Sequence, residues 1–183
     1  MRRVPHLHAA PARRRGLSLI AHLQTAPCTR HSPESIERVK LLSTAPENIV
    51  DLVECSITDE AGMDAIFAAH SFDAVIHFAA LRFVGDSVSQ PVRYYDTNLN
   101  GSLILFRLMA KHGVKAIAFS SSGTVYGGSP SPLVEATSET GKGILNPYSF
   151  SKVRCFLFVP TADVYVLFLC ASSSSQSFDE SFD

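Results

Sequence analysis

Tyr148 and Lys152 stand four residues apart, downstream of the serine triplet Ser120-Ser121-Ser122. On a helix this spacing places the tyrosine and the lysine on one face. An ammonium group beside a phenol favours the phenolate, which can take a proton from a sugar hydroxyl near neutral pH. A hydroxyl such as that of Ser122 could hydrogen-bond to the same substrate oxygen. A tyrosine–lysine pair alone is a weak signal, because such pairs are common on helix surfaces, but its place after a strand ending in three serines favours catalysis.

The elements around these residues predict an α/β fold. Apolar periodicity and capping residues predict a helix capped by Asp59 and ending near His70, a strand over 73–78 buried on both faces, a helix from Pro91 to about His112, a buried strand over 115–120 and a helix starting at Pro147. Shorter elements are expected upstream, a helix over 35–42 and a strand over 49–53. This alternation predicts a parallel sheet with right-handed crossovers. Ligands bind beyond the carboxyl ends of such strands, where His77–Ala80 and Ser120–Ser122 lie.

The two ends of the chain differ in composition from the middle. Residues 1–33 carry six arginines and no acid, whereas residues after Arg154 carry four acids and no lysine or arginine. We expect an unstructured Arg-rich arm over 1–33, compatible with a transit peptide, a folded domain over 34–158, for which the resemblance described below implies partial NAD(P) binding, and an unstructured tail over 159–183.

The overall composition excludes several classes of partner. The net charge is -1, so no global field attracts nucleic acid, and no apolar run is long enough to span a membrane. The four cysteines match no zinc spacing, and no metal site is expected. They are predicted to be free thiols in a reducing compartment, so a cytoplasmic location is expected.

Several stretches match one family pattern in a single register. They are FDAVIHFAA at 72–80, VGDSV at 84–88, YYDTNLNG at 94–101 after Pro91, FSSSGTVYG at 119–127, and NPY with SK at 146–152. Through them the chain, from about Ser32 to Arg154, resembles the NAD-dependent sugar-nucleotide epimerases of the extended short-chain dehydrogenase/reductase family. Within that family it is most similar to the enzymes that invert carbon 4 of UDP-hexoses, interconverting UDP-glucose and UDP-galactose. The resemblance implies an incomplete Rossmann-like parallel sheet with flanking helices.

The resemblance also implies a role for each site residue. Tyr148 would remove the proton of the sugar 4-hydroxyl while NAD accepts and later returns the hydride at carbon 4. Lys152 would bind the nicotinamide ribose and favour ionised Tyr148, and Ser122 would hold the oxygen at carbon 4. Thr124 would contact the UDP-sugar substrate. The remaining residues implied on the cofactor side are Phe78, Ala79, Ala80, Arg82, Asn98 and Ser120. Members of the family often form homodimers, so the resemblance makes a homodimer possible for a complete member.

This sequence departs from the family pattern at the phosphate site. The pattern opens with a GxxGxxG loop whose backbone amides hold the pyrophosphate, but the only glycine before Gly62 is Gly16. Cys55-Ser56 also replaces a Gly-Asp pair on the adenine side, and Ser149 replaces a glycine. Two alternatives follow: a UDP-sugar 4-epimerase, or a catalytically inactive fragment without the phosphate loop and the substrate domain.

Two further alternatives concern single positions. Related 4,6-dehydratases carry an Asp-Glu pair directly after the active-site threonine, whereas this sequence continues from Thr124 to Val125. The resemblance therefore favours an epimerase over a dehydratase. His77, at the end of a predicted strand, is expected to be a hydrogen-bonded structural histidine rather than a base.

Overall fold

The computed structural model describes residues 53, 55–130, 133, 138–158 and 165–169. The predicted arm over 1–33, the predicted helix over 35–42 and, except for Val53, the predicted strand over 49–53 lie outside the described residues.

The first described helix, α1, spans Glu60–Ala69, as the sequence predicts. The Asp59 carboxylate accepts a hydrogen bond from the Gly62 amide at 3.0 Å, which satisfies one of the amides left free at a helix start. The predicted apolar stripe of Met63, Ile66 and Phe67 is buried.

A parallel sheet of three strands lies at the centre of the described structure. The strands are β1 (Val75–His77), β2 (Ala116–Ser120) and β3 (Tyr165–Leu169), in the spatial order β1-β2-β3. All neighbours are parallel, with Ile76 opposite Ala118 and Phe119 opposite Phe168. The predicted parallel sheet and the predicted strands over 73–78 and 115–120 are confirmed.

The third strand corrects one expectation. Tyr165–Leu169 falls in the segment 159–183 that was expected to be unstructured, and that expectation is wrong for these five residues. The second edge of β2 carries backbone amides and carbonyls that need partners, and this apolar, aromatic stretch supplies them. No alternation of polar and apolar residues marks the stretch, so sequence periodicity did not reveal it.

The long helix after β1 is confirmed in extent but is not uniform. It begins with α3 (Pro91–Tyr94), continues as a π-helical segment (Tyr95–Asn100) and ends as α4 (Gly101–Lys111). Gly113 then adopts a φ of +74°, the left-handed conformation that often ends helices. The loop between β1 and α3 contains the short helix α2 (Val84–Ser89).

The core lies on one side of the sheet. Helix α1 packs against α4, and both cover the sheet face that carries Ile117 and Phe119. On β1, His77 is buried on this face, whereas Ile76 on the opposite face is 57% exposed. The prediction that this strand is buried on both faces is therefore wrong, because the described helices cover only one of them.

The last described helix, α5 (Pro147–Phe158), carries Tyr148 and Lys152, as predicted. It follows a loop that begins after a 3-10 turn, Gly123–Tyr126. No described helix is long and apolar enough to cross a membrane.

Candidate active site

The carboxyl end of β2 meets α5 through Lys152. The Lys152 Nζ atom donates a hydrogen bond to the Ser120 carbonyl oxygen at 3.0 Å, and it lies 5.0 Å from the centre of the Phe119 ring. The side chain is buried, with 3% of its surface exposed. Burial lowers the pKa of Lys152 from 10.5 to about 8, because removing an ammonium group from water disfavours its charged form. Lys152 therefore remains mostly charged at neutral pH.

Tyr148 lies one turn before Lys152 on the same helix and is also buried. Its ring packs edge-to-face against Tyr94, with 6.4 Å between the ring centres. Tyr94 is held in turn by a 2.7 Å hydrogen bond from its hydroxyl to the Phe83 carbonyl. Among the described residues, the Lys152 ammonium binds the Ser120 carbonyl and not Tyr148.

The predicted substrate-side hydroxyls are brought together at the 3-10 turn. Ser122 is the N-cap of this turn, and its Oγ atom lies 3.0 Å from Thr124 Oγ1. Ser122 is half-buried and Thr124 is exposed. The neighbouring Ser121 differs, because its buried hydroxyl has no hydrogen-bond partner among the described residues.

The loop after β1 presents most of the predicted cofactor-side residues. Phe78 is 66% exposed, Ala79 and Ala80 are half-buried, and Arg82 is exposed. The Arg82 guanidinium lies 5.1 Å from the centre of the Phe83 ring. The apolar surface of Phe78 is available for contact with a ligand.

Asn98 occupies a different position from the other predicted cofactor-side residues. Its side chain is 2% exposed and bridges two parts of the chain. The Oδ1 atom accepts from the Leu81 amide at 2.8 Å, and Nδ2 donates to the Leu81 carbonyl and to Ser151 Oγ, each at 3.0 Å. Asn98 therefore joins the loop after β1 to helix α5 from beneath.

The structure also shows side-chain contacts that the sequence motifs did not indicate. Ser151 Oγ donates to the Tyr148 carbonyl at 2.6 Å, and Ser102 Oγ donates to the Asn98 carbonyl. His77 Nε2 lies 2.9 Å from Ser102 Oγ, which confirms that His77 is a hydrogen-bonded structural histidine. Serines on helices give no distinctive spacing, so only the fold reveals these contacts.

The described residues include two thiols, those of Cys55 and Cys155. Cys155 is buried on α5, where burial raises the pKa of its thiol, and its Sγ atom donates to the Ser151 carbonyl at 3.2 Å. Cys55 is half-buried, and burial raises the pKa of this thiol too. Cys155 is a free cysteine, as predicted. No cluster of three metal-ligating side chains occurs among the residues that the structure describes.

Comparison with known proteins gives the same family over most of the chain. The model of the NAD dependent epimerase/dehydratase family matches residues 7–160. This match begins within the Arg-rich arm, upstream of the motifs noted above. UDP-glucose 4-epimerase of Mus musculus is 45% identical over 120 residues, and that of Caenorhabditis elegans is 47% identical over 97 residues.

Solved structures agree with this match. UDP-glucose 4-epimerase from Bifidobacterium longum, in complex with NAD+ and UDP, aligns with a TM-score of 0.67 at 39% identity, covering 75% of this chain and 41% of that one. The UDP-Glc/GlcNAc 4-epimerase from Campylobacter jejuni aligns with a TM-score of 0.70 at 26% identity, covering 84% and 44%.

The alignments cover unequal shares of the proteins compared. The mouse match takes in 66% of this chain and 33% of its relative, and the nematode match takes in 52% and 28%. The chain thus spans about a third of the length of the curated relatives it matches. On the family match over most of its residues, this chain belongs to the NAD dependent epimerase/dehydratase family.

Proposed function

We propose that this chain provides the nicotinamide end of an NAD-dependent 4-epimerase that acts on UDP-hexoses such as UDP-glucose and UDP-galactose. The observation that carries the proposal is that α5, the 3-10 turn and the carboxyl end of β2 meet. Lys152, one turn beyond Tyr148 on α5, is hydrogen-bonded to the end of β2 beside Ser122 and Thr124.

The described residues fit the nicotinamide end of such a cofactor. Ser121 offers a buried hydroxyl without a described partner, and such groups normally find one in the functional state. Lys152 has three N–H donors and uses one of them on the Ser120 carbonyl. Phe78, Ala79 and Ala80 offer apolar surface for a planar ring, and Arg82 lies at the outer end of this loop. When bound, NAD would accept and return a hydride at carbon 4 of the sugar.

Each site residue then has a defined task. Tyr148 takes the proton of the sugar 4-hydroxyl and returns a proton after the 4-keto sugar has rotated in the site. Lys152 supplies a positive charge on the same helix face and donates to the nicotinamide ribose. Ser122 and Thr124 hold the oxygen at carbon 4 and the substrate. Asn98 acts as a positioning residue under the cofactor-side loop, and Ser120 holds Lys152 through its carbonyl.

The 3-10 turn supports an epimerase rather than a dehydratase. Elimination of water from a sugar needs an acid beside the substrate. The residue after Thr124 is Val125, which is 2% exposed and has no ionisable group. The surface at this turn consists of hydroxyls, which suits proton transfer at one carbon without elimination.

The proposal includes a homodimer and a cytoplasmic location. The free thiol of Cys155 fits a reducing compartment. The exposed apolar side chains of Val88 and Val92 lie on the helices that precede α4, where a second copy would bury them.

Turnover by the isolated chain is the direct test. We expect conversion of UDP-galactose to UDP-glucose with added NAD, and at least a ~100-fold loss on Tyr148→Phe, since general base catalysis contributes about 10²–10⁴-fold. Tyr95→Phe, an exposed tyrosine on the π-helical segment, is the matched control and should retain the wild-type rate. Measurable turnover that is equal in wild type and Tyr148→Phe would contradict the assignment of the base.

The alternative is a chain that holds the nicotinamide end without turnover. The observation favouring it is that no GxxGxxG loop occurs in the 183 residues. Calorimetric titration with NAD separates the two. Saturable binding without turnover supports the inactive alternative, whereas binding with turnover supports the epimerase.

A further inference from the structure

His77 is connected to both site elements through a chain of buried hydrogen bonds. It lies at the end of β1 and is 3% exposed, and its ring packs edge-to-face on Phe119 with 5.2 Å between ring centres. The Nε2 atom lies 2.9 Å from Ser102 Oγ on α4. Ser102 is 1% exposed, so this contact is shielded from water.

The direction of each hydrogen bond in this chain can be deduced. A serine hydroxyl has one proton, and Ser102 donates it to the Asn98 carbonyl. Ser102 Oγ therefore accepts from His77, and the Nε2 atom of His77 must carry a proton. The contact fixes the ring as an Nε2–H donor.

The Asn98 carbonyl receives the Ser102 hydroxyl proton within the long helix. Asn98 lies in the π-helical segment Tyr95–Asn100, where amides bond five rather than four residues back. The Asn98 carbonyl accepts a hydrogen bond from Ser102 Oγ, four residues further along the chain. The hydroxyl held by His77 thus stabilises the π turn from the side of the sheet.

The same π turn sets the side chain of Asn98. That side chain binds the amide and the carbonyl of Leu81, and it donates to Ser151, which donates to the Tyr148 carbonyl. Two ordered chains of donors therefore meet at Asn98. One comes from His77 and the other leads to the backbone of the helix that carries Tyr148.

We propose that His77 is a positioning residue of the site: as an Nε2–H donor to Ser102 it fixes the π turn at Asn98, and so holds the loop at Leu81 against helix α5. The inference rests on the proposed function for its catalytic consequence, although its structural part stands alone. The residues held this way include Phe78, Ala79 and Ala80 on the cofactor side.

Amide hydrogen exchange in the free chain tests the structural part without any ligand. His77→Leu removes the donor, and we expect exchange at the Leu81 amide to rise about ten-fold more than at Met109, given the usual cost of orphaning a buried partner. Met109 is fully buried in α4 and reports global opening. Equal acceleration at both amides would show a merely structural role and overturn the proposal, as would no change at Leu81.

Three further variants keep the test decisive. His77→Gln retains a side-chain N–H donor and should restore at least half of the lost protection at Leu81, whereas Ser102→Ala should reproduce the selective loss. His70→Leu, a half-buried histidine beyond α1, is the matched control and should leave the ratio of Leu81 to Met109 unchanged. Failure of Gln to rescue, or loss of protection in the His70 variant, would contradict the proposal.

Two measurements cover the remaining outcomes. Nitrogen NMR of the wild-type ring should find a slowly exchanging proton on Nε2 of His77, and a bare Nε2 would overturn the inference even if the variants do not fold. Calorimetry with NAD is run in parallel on wild type. If the variants show the selective exchange effects but wild type does not bind NAD, the proposed function fails while the positioning network stands.

Discussion

At the residue scale, the candidate site depends on burying an ammonium group. Lys152 has one described hydrogen-bond acceptor and an aromatic face near it, and no carboxylate is paired with it in the described structure. Keeping an incompletely compensated charge out of water costs stability. Such a cost is expected where a residue serves binding or catalysis rather than folding.

The stability of the chain should therefore depend on pH through Lys152. The folded-state pKa is about 8, below the reference value of 10.5, so the unfolded chain binds more protons between these values. The cost of burial is thus fully present below pH 8 and disappears as the pH rises towards 10.5. In this window the free energy of unfolding should rise through this group, by something on the order of 2–3 kcal/mol.

Replacing the charge isolates this effect. Lys152→Met should be about 1–2 kcal/mol more stable than wild type at pH 7, because it removes the buried charge but leaves the Ser120 carbonyl without its donor. The difference should vanish or reverse by pH 10. Urea denaturation of both proteins at pH 7 and pH 10 measures it.

An exposed lysine provides the control for this comparison. Lys115→Met, just before β2, should differ from wild type by the same amount at both pH values. A constant difference for Lys152→Met would show that the Lys152 ammonium is not destabilised by burial.

The sequence predicts which elements carry the site motifs, but not the contacts that their residues make. The spacing of Tyr148 and Lys152, with the serine triplet, predicted the helix and strand end that the structure brings together. The engagement of Asn98 was not predictable, because its partners Leu81 and Ser151 lie 17 and 53 residues away. Hydrogen bonds over such separations depend on how elements pack, which local patterns do not encode.

At the element scale, elements marked by strong local signals were predicted correctly, whereas features that depend on packing were not predicted. The Asp59 cap predicted α1, and Pro91 and Gly113 marked the ends of the long helix. The π-helical segment Tyr95–Asn100 was missed because no local sequence pattern marks it. The strand β3 was missed because pairing with β2, rather than periodicity, produces it.

The loop between the 3-10 turn and α5 depends on a glycine. Gly127 adopts a φ of +53°, and a Cβ atom there would overlap the Lys142 carbonyl oxygen. Both effects involve backbone atoms, which have little room to move. This close approach brings the chain back towards the start of α5 and so sets the position of Tyr148.

Two adjacent glycines give a matched test of this close approach. Gly127→Ala should lower the free energy of unfolding by about 2 kcal/mol or more, through strain and overpacking. Gly128→Ala should change it by less than about 0.5 kcal/mol, because nothing lies within 4 Å of a Cβ atom there. Urea denaturation compares them, and equal losses for both variants would show that the loop does not close at Gly127.

At the scale of the whole molecule, chemistry and cofactor affinity are separable. The proposed site residues lie on α5, at the carboxyl end of β2 and in the loop after β1, as expected for ligand sites in open parallel sheets. The pyrophosphate of NAD is normally bound by a glycine-rich loop, which these 183 residues do not contain. The nicotinamide end should therefore be recognisable on this chain by a ligand that carries only that end.

The most direct measurement is an NMR titration of the full chain with nicotinamide mononucleotide. We expect saturable shifts at roughly millimolar ligand, because binding is weak when half of the cofactor is missing. They should be confined to the Ser120–Thr124 turn, the loop at Phe78–Ala80 and the region of Lys152, and Lys152→Met should abolish them. Saturable shifts elsewhere, the same shifts in Lys152→Met, or none at all would contradict the assignment of a nicotinamide site to this chain.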